Sequence, residues 1–259
     1  MPESAPKPEL VPKKDKLHFS PVAGAYAAYR PTYPPELLVY LGGLPQQRLV
    51  AWDCGCGSGQ LSIPLAQHFK QVFATDASPE QVTKAQSHER VRYSVAPAEA
   101  SGLAADSIDL VVAAQAAHWF DLPRFYKEAR RVGRPGSIIA LISYGNLEMD
   151  GFLHDLIRVF TFATLKEHWP AERNFVNDGY ASLPFPFEER RPPALAIVKD
   201  LSREALLGYI HTWSSVSDLR RKGKADVLAR FESQLKELWG EEEAREVRWP
   251  ISLRVGNIR

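Results

Sequence analysis

An α/β fold on a parallel sheet is predicted by three features of this 259-residue chain. Short apolar runs alternate with helical patterns from Arg48 to Tyr144, a glycine-rich turn follows the first run, and an acid ends the second. Such alternation argues for parallel strands, whose crossover helices cover both faces of the sheet. Ligands of these sheets bind beyond the carboxyl ends of the strands. The loops to inspect are therefore 53–59, 76–78, 96–99, 115–120 and 144–146.

The first strand is LVAWD (49–53), followed by a helical pattern over 59–69 that Pro64 should bend. The second strand is VFATD (72–76). Ser78, Pro79 and Gln81 then supply an N-cap, a proline at the first helical position and a capping-box partner. VRYSV (91–95), DLVVAA (109–114) and SIIALIS (137–143) read as further strands. Asp121 caps a helix running to about Arg131, and Arg134-Pro135-Gly136 turns the chain back. Beyond Gly145 helical patterns occupy 151–168, 202–221 and 225–239. In the last of these Leu228, Phe231, Leu235 and Leu238 keep the three- and four-residue spacing of one helix face. RWPISLRVG (248–256) reads as an edge strand, and the basic run RRKGK (220–224) as a solvated helix end.

Hydrophobic residues make up 45% of the chain and charged residues 24%, ordinary usage for a folded domain. A formal net charge of +1 leaves no broad excess of either sign for nucleic acid or an anionic membrane. Residues 1–15, rich in Pro, Lys and Glu without an apolar core, read as a disordered tail and not as a signal peptide. Residues 16–259 then form a single domain. No apolar run approaches the roughly 18 residues of a membrane helix, so a cytoplasmic protein is expected. Cys54 and Cys56 stand too close for an ordinary disulfide framework and have no nearby Cys or His partners for a zinc cage. No metal site is expected.

Gly55, Gly57 and Gly59 alternate, which lets the backbone turn sharply and a ligand lie directly against it. Neither reading frame gives the G-x-G-x-x-G spacing that seats a dinucleotide pyrophosphate, nor is there the Gly-Lys-Ser/Thr ending of a phosphate loop. The pattern points to a nucleoside without phosphates. Asp76, 23 residues beyond Asp53, stands where an acid can accept hydrogen bonds from ribose hydroxyls.

Asp53-Cys-Gly55-Cys-Gly57-Ser-Gly59 followed by Asp76 resembles the cofactor signature of class I S-adenosylmethionine (SAM)-dependent methyltransferases. RRVGRPGSIIAL (130–141) is similar to that family's segment leading into its fifth strand. HFSPVAGAYAAYRPTYP (18–34) resembles the N-terminal segment of its small-molecule branch, relatives of trans-aconitate methyltransferase among them. WPAERNFVNDGYASLPFPF (169–187) resembles bacterial members of that branch. The resemblance implies a Rossmann-like sheet with a helical C-terminal substrate cap, formed by 146–191 and parts of 200–240. It places Gly55, Gly57 and Gly59 along the amino-acid part of SAM with Asp53 nearby, and Asp76 at the ribose. Arg30 would meet the SAM carboxylate, and Ala98 and Glu99 would fall in the adenine loop. Pro97 departs from the acid often found there, and Glu99 is a candidate substitute.

The resemblance implies in-line methyl transfer to a small molecule, a reaction that needs a positioned nucleophile and exclusion of water. A base is required only if the acceptor arrives protonated. Gln115 and His118, in the loop after the fourth strand, would lie beside the reactive methyl. His118 is a candidate base or acceptor-binding donor, and Tyr26 and Tyr144 are the other near-site candidates. Trp119, Arg173, Asp178, Tyr180 and Trp213 are candidates to shape the acceptor pocket. Two alternatives remain open at this point: cyclisation of SAM to azetidine-2-carboxylate with release of methylthioadenosine, and SAM binding without catalysis.

Overall fold

Five strands run parallel from one edge of the sheet: β1 (Val50–Cys54), β2 (Gln71–Asp76), β3 (Val91–Val95), β4 (Ile108–Ala114) and β5 (Gly133–Tyr144). The computed structural model describes residues 31–258, so the tail over 1–15, Tyr26 and Arg30 lie outside the described residues. Three antiparallel strands complete the sheet, β6 (Glu188–Arg190), β7 (Leu195–Leu201) and β8 (Arg245–Asn257), in the order β3-β2-β1-β4-β5-β8-β6 with β7 also on β8. From β1 the chain steps outward to β2 and β3, then returns to β4 on the other side of β1. That reversal opens a crevice beyond the carboxyl ends of β1 and β4. This is a Rossmann-like α/β sheet, as the alternation predicts.

Strand side chains alternate between two apolar layers. Leu110 and Val112 of β4 and Ile138, Ala140 and Ile142 of β5 face one layer. It is closed by α1 (Pro35–Gly43), the stretch around Leu65, and the C-terminal helices. Val111, Ala113, Ile139 and Leu141 face the other, closed by α4 (Leu122–Val132) and the segment around Val176 and Tyr180. The expected caps are present: Ser78 Oγ accepts from the Gln81 amide at α3 (Pro79–Thr83), and Asp121 Oδ1 from the Arg124 amide at α4.

Several elements differ from the sequence reading. The helix expected over 59–69 is regular only at α2 (Ser62–Leu65). Pro64 has no N–H to donate, and the turns that follow include three-residue bonds such as Gln67 N to Pro64 O and His68 N to Leu65 O. The pattern over 151–168 is α5 (Gly151–Val159) continued by a π turn at Phe160–Thr164 and a 3₁₀ turn at Lys166–His168. The pattern over 202–221 is two helices, α7 (Arg203–His211) and α8 (Ser214–Arg221), because Trp213 adopts extended backbone between them. One helix, α9 (Ala225–Trp239), fills the expected 225–239. The Arg134-Pro135-Gly136 turn is a bulge inside β5, with Gly133 opposite Ile108 and Ile138 opposite Leu110.

RWPISLRVG is not an edge strand. Ile251 pairs with Tyr144 of β5 on one side and Leu195 of β7 on the other, which places β8 in the interior. Pro250 is tolerated because its carbonyl still accepts from the Gly145 amide, while the missing donor costs the sheet one bond.

One buried carboxylate ties the parallel core together. Asp109 Oδ2 accepts from the amides of Leu49 and Val50 at 3.0 and 2.8 Å, and Oδ1 from Arg134 Nη1 at 2.7 Å. It thus joins the start of β1 to β4 and to the bulge of β5. Replacing Asp109 with Ala should cost about 2–4 kcal/mol in urea denaturation, because two amides and an arginine lose their acceptor together. A loss under about 0.5 kcal/mol would refute this role.

Candidate active site

The loop after β1 makes three left-handed steps, at Gly55 (φ +69°), Gly57 (φ +56°) and Gly59 (φ +89°). A Cβ on Gly55 would stand 2.6 Å from the Ala116 Cβ and 3.0 Å from the Phe120 ring. Glycine there lets the β1 loop lie directly against the loop after β4. A Cβ on Gly59 would strike the Tyr93 hydroxyl. Gly57 differs, since its Cβ position is open apart from Gln81 Oε1 at 3.9 Å. The loop is anchored from below by the amides of Gly55 and Cys56, which both donate to Thr75 O at 2.8 and 3.0 Å.

Asp76 closes the next loop onto this one. Its Oδ2 accepts from the Gly57 amide and its Oδ1 from the Ser78 amide, each at 2.8 Å. A carboxylate has about four lone-pair positions, so roughly two remain for a ligand's hydroxyls. Asp53 is buried beneath the loop and accepts from Ser62 Oγ at 2.6 Å. Burial pushes its carboxyl up to about 7, with Ser62 pulling the other way and the Asp76 charge adding to the rise. The thiols of Cys54 and Cys56 are free and buried, and burial raises both. They fill space under the turn.

Tyr93 projects from β3 into the same corner. Its buried hydroxyl has no partner in normal hydrogen-bond geometry, although Ser62 lies close enough to influence it, and burial pushes it up to about 12. An orphaned buried hydroxyl beside a glycine turn marks a place where a ligand would complete the bonding. Sequence reasoning missed Tyr93, Phe120 and Ser62. The signal for Tyr93 was available, a tyrosine in the strand that leads to the third ligand-side loop.

The loop after β4 supplies the opposite wall. Gln115 adopts φ +53°, its amide donates to Ile142 O at 2.8 Å and its Nε2 to Tyr144 O at 3.0 Å, spanning β4 and β5. His118 sits in a 3₁₀ turn, Ala117–Trp119, with its Nδ1 2.8 Å from the Tyr180 hydroxyl and its ring against Trp119 and Tyr180. Burial first, and the Arg173 charge second, lower its pKa to about 4. Arg173, on α6 (Arg173–Asn177), donates to Asn146 Oδ1 at 2.7 Å and lies 4.7 Å from the Trp169 ring centre. The structure therefore gathers His118, Trp119, Tyr180 and Arg173, together with Asn146 and Trp169, which the sequence did not single out.

Other candidates are placed differently. Tyr144 is buried, its ring edge-on to Tyr33 at 6.2 Å. Ala98 is buried in the layer under α4, and Glu99 Oε1 accepts from the Asp121 amide at 2.8 Å, which commits that oxygen to the helix start. Asp178 is exposed and its carboxylate accepts from the Ser182 amide at 3.3 Å. Trp213 is buried in the helical layer, packed between Trp169 and Tyr209. Among the described residues no His, Cys, Asp and Glu cluster is arranged to hold a metal ion. No described helix is long and apolar enough to cross a membrane.

This architecture, with its glycine turn and acid at the ends of β1 and β2, defines a class of protein, and comparison with known chains agrees. A methyltransferase-domain family model matches residues 52–141. A methyltransferase-family protein of Dictyostelium discoideum is 30% identical over 254 residues, covering 94% of this chain and 96% of its own. An Anaeromyxobacter dehalogenans structure described as a type II methyltransferase superposes with TM-score 0.85 at 44% identity, covering 89% of this chain and 98% of its own. A Saccharomyces cerevisiae protein named for SAM-dependent methyl transfer is 26% identical over 170 residues, 61% of this chain and 57% of its own. The chain belongs to the class I SAM-dependent methyltransferase family.

Asp53 gives a test that needs no ligand. A carboxyl raised in the folded state contributes stability that is full below its unfolded pKa of 3.8 and is lost as pH rises through about 7. Wild-type stability should therefore carry a downward slope across that window, and Asp53→Asn should flatten it in urea titrations at each pH. Parallel curves for the two proteins would contradict the buried, protonatable Asp53.

Proposed function

We propose that the chain is a SAM-dependent methyltransferase of the small-molecule branch, similar to trans-aconitate methyltransferase, acting on a small acceptor. The observation that carries this reading is the corner made by Gly57 and Asp76, where open backbone meets a carboxylate with lone pairs to spare. The donor set fits the cofactor. Asp76 would take the ribose hydroxyls, Gly55 to Gly59 would lie along the amino-acid part, and Tyr93 would complete its bonding against the bound molecule. Ala98 and Glu99 stand at the expected adenine loop, and Arg30, outside the described residues, is proposed for the carboxylate. When bound, SAM supplies a methyl group made electrophilic by its sulfonium.

The chain's own residues then have three tasks. Gln115 holds the β4 loop against β5, which fixes the wall opposite the glycine turn. His118, Trp119, Tyr180 and Arg173 bind and orient the acceptor. The helical segments within 146–191 and 200–240 form a cap that excludes water, so that bound groups meet in line at about 3–3.5 Å. A partly aromatic wall with one guanidinium suits a small acceptor with an apolar body. The near-neutral net charge of +1 gives no support to a nucleic-acid substrate.

Two measurements test the reading. Purified protein incubated with SAM, with and without a metabolite extract, should give extract-dependent S-adenosylhomocysteine and an acceptor heavier by one methylene. Methylthioadenosine without extract, above a no-enzyme control, would overturn methyl transfer. Asp76→Ala should weaken SAM binding by about 1.5–3 kcal/mol in calorimetry, because a charged acceptor is lost. Unchanged affinity would remove Asp76 from the ribose site.

A further inference from the structure

We infer that Tyr180 is a positioning residue that locks His118 as its Nε2–H tautomer, so that His118 meets the acceptor as a hydrogen-bond donor and not as a base. The role toward an acceptor rests on the methyltransferase reading of this site; the tautomer does not.

Tyr180 is held firmly enough to impose an orientation. It is fully buried and takes the left-handed conformation at φ +67°, which a tyrosine adopts only when its surroundings demand it. Its amide donates to Phe175 O at 2.7 Å, and its carbonyl accepts from Arg254 Nη1 at 3.0 Å. Arg254 is itself fixed by Leu183 O at 2.6 Å and by a two-bond pair with Glu189. The Tyr180 hydroxyl therefore reaches the His118 ring from an anchored base.

The direction of that bond follows from the single hydrogen that a buried hydroxyl must place. The buried Tyr180 hydroxyl has one hydrogen to place, and His118 Nδ1 is its hydrogen-bond partner among the described residues. Sent to His118 Nδ1 at 2.8 Å, that hydrogen is satisfied, whereas a hydrogen on Nδ1 would leave the hydroxyl's own hydrogen buried without an acceptor. With Nδ1 accepting, the ring hydrogen of neutral histidine is on Nε2.

The charged surroundings keep it there. Arg173 acts on both the ring and the Tyr180 hydroxyl, and Tyr144 on the hydroxyl. Protonating Nδ1 would set imidazolium beside the guanidinium and turn a tyrosine donor toward another donor. Burial acts in the same sense, and the His118 pKa of about 4 agrees with the geometry. His118 thus takes no proton at neutral pH. For the reaction, the acceptor atom that attacks must arrive with its lone pair free, while the Nε2–H holds a second lone pair of the same molecule.

Histidine-specific ¹⁵N labelling tests this on the full chain without any ligand. Two-bond proton–nitrogen spectra between about pH 5 and 8 should show one ring in the Nε2–H form throughout, identified by its loss in His118→Gln. In Tyr180→Phe that ring should become a tautomer mixture whose titration moves up toward about 6.5. A wild-type ring that is Nδ1–H, or that titrates near 6.5, overturns the inference, as does an unaltered spectrum in Tyr180→Phe. With an acceptor in hand, Tyr180→Phe should lower kcat about tenfold, keep its SAM affinity and gain an ionisation in its pH profile. Absence of SAM binding by the wild type would defeat the proposed function and leave the tautomer result standing.

Discussion

Everything at this site depends on the absence of one carbon atom. At Gly55 a side chain would collide with Ala116 and Phe120, so only glycine lets the β1 loop close on the β4 loop. The two loops flank the point where strand order reverses, and their contact converts an open crevice into a walled one. Gly57 then presents bare backbone, and Asp76 grips its amide from the end of β2. Glycine here is favoured by conformation and by space at once, since the same residues also turn through positive φ.

The buried carboxylates divide two kinds of work. Asp109 accepts from two backbone amides and an arginine, so its charge is matched and it serves the sheet. Asp53 has one hydroxyl partner beneath the ligand loop, and burial lifts its carboxyl to about 7. A matched charge stabilises, whereas a poorly matched one is a site of adjustable protonation. Both tasks fall to aspartates on neighbouring parallel strands, separated by which end of the strand they occupy.

The parallel strands were legible in the sequence because each is a short apolar run bounded by loop residues, and the glycine turn with Asp76 was legible because its chemistry is local. What could not be read depended on partners distant in the chain. RWPISLRVG contains a proline, which suits an edge, yet pairing with both Tyr144 and Leu195 makes it interior. Asp178 shares the 169–187 segment with Arg173 and Tyr180 yet is exposed, while Trp213, from a later helical pattern, is buried. Spacing alone does not tell which face of an irregular segment turns inward. Asn146 and Trp169 join the site only through folding, and no local pattern marks them.

The central claim is that the nucleoside of SAM lies in the corner between Gly57 and Asp76. A crystal structure with S-adenosylhomocysteine tests it most directly. The account predicts both ribose hydroxyls within hydrogen-bond distance of the Asp76 carboxylate and the amino-acid part against Gly55 and Gly57. A ligand seated elsewhere, with Asp76 still bound only to the Gly57 and Ser78 amides, would contradict it.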